Sequence, residues 1–348
     1  RSFISCMVFI PTFVVGAALA FEFRFENVRI GTRASALAII QAEQMAASIM
    51  IATPGTSTAL IPILSEGDSN LRSDIPLAKA GIDFTGTIDS AVIRGVVDVG
   101  VHSLKDIPPQ HRWTPGLTIA CHLPRVSPLD VIVGVQSLDE LGSGSRVGTA
   151  SVRRQAQLHA LRPDLDVRNV RGDVEARLAQ LDCGDLDALV LAKAGLDRLR
   201  VQDRVMSELS PSVMLPGVGQ GIVCAVCRDD SDALRLLRAT DNHDAHVAAA
   251  TERAFLNAVD GVAQLKGRPP LAALMARSDP IEGQWTLRGM IARPDGSEVV
   301  HIESTALPDC SVRDAAALGH EAGEELIARA GKNFFSPVRN SNAGVSPA

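Results

Sequence analysis

The stretch Val28–Met50, VRIGTRASALAIIQAEQMAASIM, decides how the chain folds. Val28–Gly31 is a short run that reads as a β-strand, and Ser35–Met50 carries apolar residues at helical spacing with Ser35 at the cap position. Strand, tight turn and helix in this order form the repeating unit of α/β sheets with mainly parallel strands. Ligands of such sheets bind in the crevice beyond the carboxyl ends of the strands. The turn Gly31-Thr32-Arg33-Ala34-Ser35 therefore marks a candidate site. Free N–H groups and the dipole at the helix start favour an anion there, and Arg33 adds a planar, two-pronged donor.

The same pattern recurs outward from this stretch. A helix is expected over Ile88–Arg94, then a strand over Val97–His102 that runs into Ser103-Leu104-Lys105-Asp106-Ile107-Pro108-Pro109, where the two prolines forbid regular structure. A second block reads as strand Val131–Val135, a strand ending at Val147, helix Val152–Leu161, strand Asp166–Val170, helix Asp173–Leu181 and strand Leu186–Ala192. Pro211–Gly221, rich in proline and glycine, reads as a linker returning to the first block. Helix Ala245–Ala258, strands Trp285–Ala292 and Glu298–Glu303 around the turn Pro294-Asp295-Gly296, and helix Val312–Ala330 suit a small α+β unit. No internal sequence repeat is visible. The expected organisation is a leader over 1–26, a first domain over 27–125 and 214–242, a second over 126–213, a third over 243–336, and a disordered tail over 337–348.

Bulk properties exclude some classes of function. The chain has 348 residues and a formal net charge of −6, which suits a multidomain enzyme and gives no reason to expect a nucleic-acid partner. Its six cysteines are too few and scattered for a disulfide scaffold. Cys224 and Cys227 form a C-x-x-C inside the apolar run Gly221–Cys227, with no second pair at zinc spacing, so a buried strand is expected and no metal. Phe3–Phe21 is almost wholly apolar and ends in Ala18-Leu19-Ala20 before Phe21, which reads as a targeting segment cleaved before Phe21; no membrane partner is expected afterwards.

Two further turns repeat the chemistry of the first. Gly148-Thr149-Ala150-Ser151-Val152-Arg153-Arg154 sets paired arginines in the first turn of a helix, where cations oppose the dipole and a bound anion relieves the cost. Asn169-Val170-Arg171-Gly172 ends another strand, with Arg177 six residues beyond Arg171. A single arginine after a strand is usually a solvated surface group. Three such turns together point to a ligand with several carboxylates, which arginine binds through parallel hydrogen bonds. Lys105 and Asp106 add one ammonium and one acid, a pair that alone reads as a loop ion pair.

These segments, with others, resemble the porphobilinogen deaminase (hydroxymethylbilane synthase) family. RIGTRASALAIIQ (Arg29–Gln41), VHSLKDIP (Val101–Pro108), VGTASVRRQAQL (Val147–Leu158), NVRGDVEAR (Asn169–Arg177), LAKAGLDRL (Leu191–Leu199), LPGVGQG (Leu215–Gly221) and ERAFLNAVDG (Glu252–Gly261) follow the family's blocks in order. Gly319–Phe335 is similar to plastid-type members. The resemblance implies an α/β fold with two periplasmic-binding-protein-like lobes around a cleft and a small α+β C-terminal domain carrying a dipyrromethane cofactor on a cysteine. It implies four porphobilinogen molecules joined head to tail with loss of ammonia, polypyrrole intermediates, a monomer, and a plastid location. Asp106 takes the place of the catalytic carboxylate. Arg33, Ser35, Lys105, Ser151, Arg153, Arg154, Arg171 and Arg177 match the residues that hold acetate and propionate groups, and Lys79, Phe84 and Gln220 match positions in the lid and cleft.

Two segments depart from the family pattern. After Asp260-Gly261 the family has a cysteine that carries the cofactor, but here Gly267 stands in that place and no cysteine lies between Cys227 and Cys310. The lid segment appears as Gly81-Ile82-Asp83-Phe84-Thr85-Gly86-Thr87 and lacks the family's later lysines and glutamate. Two functions are therefore carried forward: the family's transferase, or a paralogue without cofactor that binds pyrrole carboxylates. An exported solute-binding protein would share a two-lobed cleft but leaves the third domain and Asp106 without a role.

Overall fold

The computed structural model describes residues 26–64, 85–201, 203–204, 206–263, 269–279 and 283–335. The leader before residue 26, Lys79, Phe84, Gly267 and the tail after residue 335 lie outside the described residues.

The first sheet is built from β1 (Val28–Arg33), β2 (Thr58–Ile63), β3 (Val99–Ser103), β4 (Leu117–His122) and β10 (Val223–Arg228), in the order β2-β1-β3-β10-β4. The second uses β5 (Asp130–Val133), β6 (Arg146–Gly148), β7 (Asp166–Arg168), β8 (Ala188–Ala192) and β9 (Met206–Leu209), in the order β7-β6-β8-β5-β9. The two orders are the same topology. In each, the first three strands are parallel and the fourth, β10 or β5, runs antiparallel to both neighbours. The reversed strand is the one entered from the other sheet. Two crossing segments, Leu123–Leu129 and Ser210–Ile222, therefore join the lobes side by side.

Alternation along the strands explains how the first sheet is covered. On β10, Val223, Ala225 and Cys227 face the cluster of Met45, Ala46 and Ile49 from α1 (Ala36–Ala52) and of Leu236 and Leu237 from α6 (Ala233–Thr240). Cys224 and Val226 face the other way, toward Val92 of α2 (Gly86–Ile93). Both faces of this sheet are thus buried, as sheets with helices on both sides require. The C-x-x-C is part of this packing: both thiols are fully buried, and burial raises their pKa values, so they are inert core groups.

In the second sheet, α3 (Val152–Leu161), α4 (Val174–Asp182) and α5 (Lys193–Arg198) follow β6, β7 and β8 in turn. The C-terminal unit is an antiparallel sheet of β11 (Leu271–Arg277), β12 (Trp285–Ala292) and β13 (Val299–Ala306), backed by α7 (His243–Ala263) and α8 (Val312–Ala330). Those two helices approach closely because Gly319 has no side chain; a Cβ there would lie 2.0 Å from the Thr251 carbonyl oxygen. Among the described residues, no helix is long and apolar enough to cross a membrane.

The expected helices and most strands stand within a few residues of where the pattern put them. β2, β4, β9 and β11, and the helices α5 and α6, are additions. β2 and β9 are edge strands, and β2 contains Pro62, which an edge position tolerates because no partner needs its missing N–H. β11, LAALMAR, has no β-branched residue and carries no strand signal of its own.

Candidate functional site

A cleft of about 750 Å³ opens between the two five-stranded lobes. Its polar lining comes from the turns that the sequence singled out. Arg33 is the last residue of β1, and Ser35 occupies the N-cap of α1, where its carbonyl accepts the Ile39 N–H at 3.0 Å. The Ser35 hydroxyl makes no capping bond, and neither does that of Ser151 at the N-cap of α3. Both hydroxyls are left to serve a ligand at a helix N-terminus. Lys105 and Asp106 form the 3-10 turn Leu104–Asp106 directly after β3. Arg171, Gly172 and Arg177 line the cleft from the turn after β7 and from α4. Gly172 is at φ +98°, a conformation that brings the chain round within one turn and that other residues resist.

Charge in the cleft departs from charge on the chain. Among the described residues, seven lysine and arginine side chains border it against three carboxylates, although the whole chain is at −6. The crowding is visible in the ionisation of its members. Burial pushes the Arg177 guanidinium down to about 10, helped by Arg154 and Arg171 and opposed by Asp173. Lys105 is open to cleft water by surface area, yet protein surrounds it closely enough that desolvation lowers its ammonium to about 8, with Asp106 opposing the shift. Arg177 also donates from Nε to the Gly172 carbonyl at 2.9 Å, which aims the rest of its fork.

Arg153 and Arg154 are committed differently from the sequence expectation. Both reach the buried carboxylate of Asp130, at the start of β5. Arg153 donates from Nη1 to Oδ2 at 2.7 Å, and Arg154 donates from Nε and Nη2 to Oδ1 at 3.0 and 2.7 Å. Gln220 adds a third donor at 2.8 Å and also binds the Pro128 carbonyl, so its side chain positions Asp130. Desolvation by itself would raise the Asp130 pKa; the two guanidiniums reverse that and hold it well below the ordinary carboxylate range. The sequence gives Asp130 no signal beyond an acid opening an apolar strand. Arg171 is the opposite case: its Nε and Nη2 are buried with no hydrogen-bond partner among the described residues. Buried donors of this kind cost about 1–3 kcal/mol unless something accepts from them.

A second polar centre lies where the crossing segments meet the C-terminal unit. Arg125 donates to the fully buried Glu252 of α7 at 2.5 Å and to the Gln220 carbonyl at 2.9 Å. Glu252 also accepts from the backbone N–H groups of Gly219 at 2.6 Å and Met275 at 2.7 Å. One carboxylate thus ties both crossing segments to α7 and β11. Arg253 extends the tie to the turn after Asp106, donating to the carbonyls of Ile107 and Pro108 at 3.2 and 3.0 Å. Asp106 therefore stands on a braced support, while its own carboxylate is exposed in the cleft.

The cleft fits a ligand with several carboxylates: the unpartnered Arg171 fork, the cation excess and the open helix N-termini all seek anionic oxygen. It offers no thiol. Cys121, Cys224, Cys227 and Cys310 are buried, Cys183 is exposed at the end of α4, and none of them borders the cleft.

Residues 28–235 match the family model described as porphobilinogen deaminase, dipyromethane cofactor binding domain. The porphobilinogen deaminase of Syntrophotalea carbinolica is 41% identical over 316 residues, covering 89% of this chain and 96% of that protein. Among solved structures, the second substrate binding domain of a putative amino acid ABC transporter from Streptococcus pneumoniae aligns with 62% of this chain and 91% of its own, at 12% identity and a TM-score of 0.41. The aliphatic sulphonate binding protein SsuA from Escherichia coli aligns with 69% of this chain and 71% of its own, at 13% identity and a TM-score of 0.37.

Proposed function

The chain belongs to the porphobilinogen deaminase family, and on that premise we propose that the cleft between its lobes condenses porphobilinogen head to tail, with Asp106 as the catalytic carboxylate. The function is that of a hydroxymethylbilane synthase, a transferase of tetrapyrrole and haem synthesis. One observation carries the assignment of the site: an exposed carboxylate, Asp106, sits among cations, one of which, Arg171, has buried fork N–H groups with no acceptor among the described residues.

The residues divide the work by chemistry. Porphobilinogen carries an acetate and a propionate, and Arg33, Arg171 and Arg177, with the Ser35 and Ser151 hydroxyls, are placed to bind them. Arg153 and Arg154 contribute the N–H groups that Asp130 and the carbonyls of Leu215 and Val190 do not use. In each round the aminomethyl carbon–nitrogen bond breaks, ammonia leaves, and the pyrrole nitrogen lone pair compensates the carbon, so positive charge develops on the ring. Asp106 stabilises that charge and accepts the proton released when the next ring forms the new carbon–carbon bond. Lys105, near neutrality in its ionisation, holds a substrate carboxylate when protonated.

Dipyrromethane is a tetracarboxylate, and the Arg171, Arg177, Arg153 and Arg154 group would hold it; when bound it supplies the free pyrrole position on which the chain grows. The family's thioether is not available through Gly267. We assign its retention to carboxylate contacts. Gly267 also favours a second reading, in which the chain binds pyrrole carboxylates without turning them over. Intact mass measured before and after denaturation, together with porphobilinogen consumption, separates the two. Turnover with a native-state adduct supports the enzyme; binding with neither supports the second reading.

A plastid location, with a role in chlorophyll synthesis, is proposed on the apolar run Phe3–Phe21 and the plastid-type segment Gly319–Phe335. Fusion of the full chain to a fluorescent protein tests it, and fluorescence outside plastids would overturn it.

A further inference from the structure

The joint between the first lobe and the C-terminal unit holds a cluster that the deaminase chemistry does not use. His122 ends β4, Asp241 follows α6, and His246 lies in the first turns of α7. One imidazole nitrogen from each ring and one carboxylate oxygen lie within 4.8 Å of one another. Asp241 accepts from both rings: its Oδ1 is 2.9 Å from Nδ1 of His122, and its Oδ2 is 2.6 Å from Nδ1 of His246. The rings lie with centroids 4.7 Å apart. Two stretches of chain distant in sequence, the end of β4 and the passage from α6 into α7, thus converge on a single point.

We propose that His122, Asp241 and His246 bind a divalent transition-metal ion. Two imidazole nitrogens and one carboxylate suit zinc, nickel or cobalt, and the donor set leaves coordination positions for water. His122 is buried and gives the site one fixed imidazole, while His246 supplies a second from the partly exposed side. Asp241 is also aimed from behind, since the His122 backbone N–H donates to Oδ1 at 2.6 Å. Entry is open on one side: the His246 side chain is 37% exposed and that of Asp241 17%. For metal–ligand bonds of about 2.1 Å, the two close nitrogen–oxygen pairs need to separate by roughly 0.5–0.8 Å. The ion would replace two ring protons, so binding releases protons and weakens as pH falls. Its structural effect is to fasten α7 to the end of β4 across the joint.

The full-length chain, stripped with chelator, is titrated with zinc against a chromophoric competitor, and cobalt is added separately to record its visible spectrum. The expected result is one zinc per chain at micromolar affinity or tighter, a cobalt spectrum of nitrogen and oxygen ligation without a thiolate charge-transfer band, and a zinc-dependent rise in Tm. His246→Ala, at a partly exposed position, should weaken binding at least 100-fold and remove the rise in Tm. Asp241→Asn should weaken it as well. Absence of stoichiometric binding, or binding that His246→Ala leaves intact, would overturn the site and leave the cluster as a hydrogen-bonded joint. Porphobilinogen turnover is scored separately, so its presence or absence does not decide this result.

Discussion

Arg154 gives two of its hydrogen bonds to one oxygen of Asp130, from Nε at 3.0 Å and from Nη2 at 2.7 Å. Asp130 is wholly buried, and the Arg153 and Arg154 side chains are nearly so. This carboxylate neutralises part of the positive cluster and fixes the direction in which both guanidiniums present their remaining N–H groups. The cleft's electrostatics are thus set in part by an acid that does not itself line the cleft.

Removing that charge leaves two buried cations without their anionic partner. Asp130→Asn should cost about 3–5 kcal/mol of stability, the range for a broken buried pair. In urea, the midpoint should fall with an unchanged slope. The sign of the pH dependence follows. Because the folded state depresses this pKa, the stabilisation is fully present above the unfolded value of 3.8 and is lost as pH falls through the folded value. A variant as stable as the parent would show that the pair is not a structural element.

Arg171 predicts the reverse separation of stability and binding. Its Nε and Nη2 have no protein acceptor among the described residues, so Arg171→Ala should leave the urea midpoint of the ligand-free chain unchanged or raise it. KM for porphobilinogen should rise roughly 10- to 100-fold, the value of about 1.5–3 kcal/mol for hydrogen bonds to a charged group. Isothermal titration with the substrate checks the binding arm. A large loss of stability with unchanged KM would place Arg171 in the scaffold instead.

Lys105 carries a prediction about pH. Its ammonium titrates at about 8 in the folded chain against 10.5 unfolded. A lowered lysine pKa means that the unfolded chain holds more protons between those values, so this residue's contribution makes stability rise with pH from about 8 to 10.5. Binding runs the other way. A substrate carboxylate stabilises the ammonium, so KM should rise above pH 8, and binding there should take up a proton. Lys105→Gln should flatten both dependences; calorimetry in buffers of different ionisation enthalpy reads the proton uptake.

Gly267 makes the cofactor question experimental. The chain as it stands should show an unmodified mass after denaturation, because no thiol reaches the cleft among the described residues. Gly267→Cys should restore a thioether and carry an adduct of dipyrromethane mass through denaturation. An adduct on the unaltered chain would locate a different attachment point.

Much of this site was legible in the sequence, and the limits have physical causes. Strand-to-helix turns announce themselves locally, through a β-branched run, a glycine and a helix start; Arg33, Ser35, Ser151 and Arg171 were found because each sits in such a turn. Asp130 was missed because its role depends on partners 23, 24 and 90 positions away. Glu252 was noticed only as part of a family block, although it closes the junction of three segments. The shared topology of the two lobes was invisible as a sequence repeat. It is a repeat of strand direction and order, which side-chain identity does not encode. The reversed strands β5 and β10 read like their neighbours because strands buried on both faces carry the same apolar signal in either direction.

The central claim is that the cleft is a working porphobilinogen deaminase site with Asp106 at its centre. The most direct measurement is steady-state consumption of porphobilinogen with ammonia and hydroxymethylbilane quantified together, for the full chain and for Asp106→Ala. Four ammonia per hydroxymethylbilane are expected from the parent chain. Loss of turnover by at least 100-fold is expected in the variant, with an unchanged Tm because the Asp106 carboxylate is exposed. Porphobilinogen binding without turnover in the parent, or turnover that Asp106→Ala leaves intact, would contradict it.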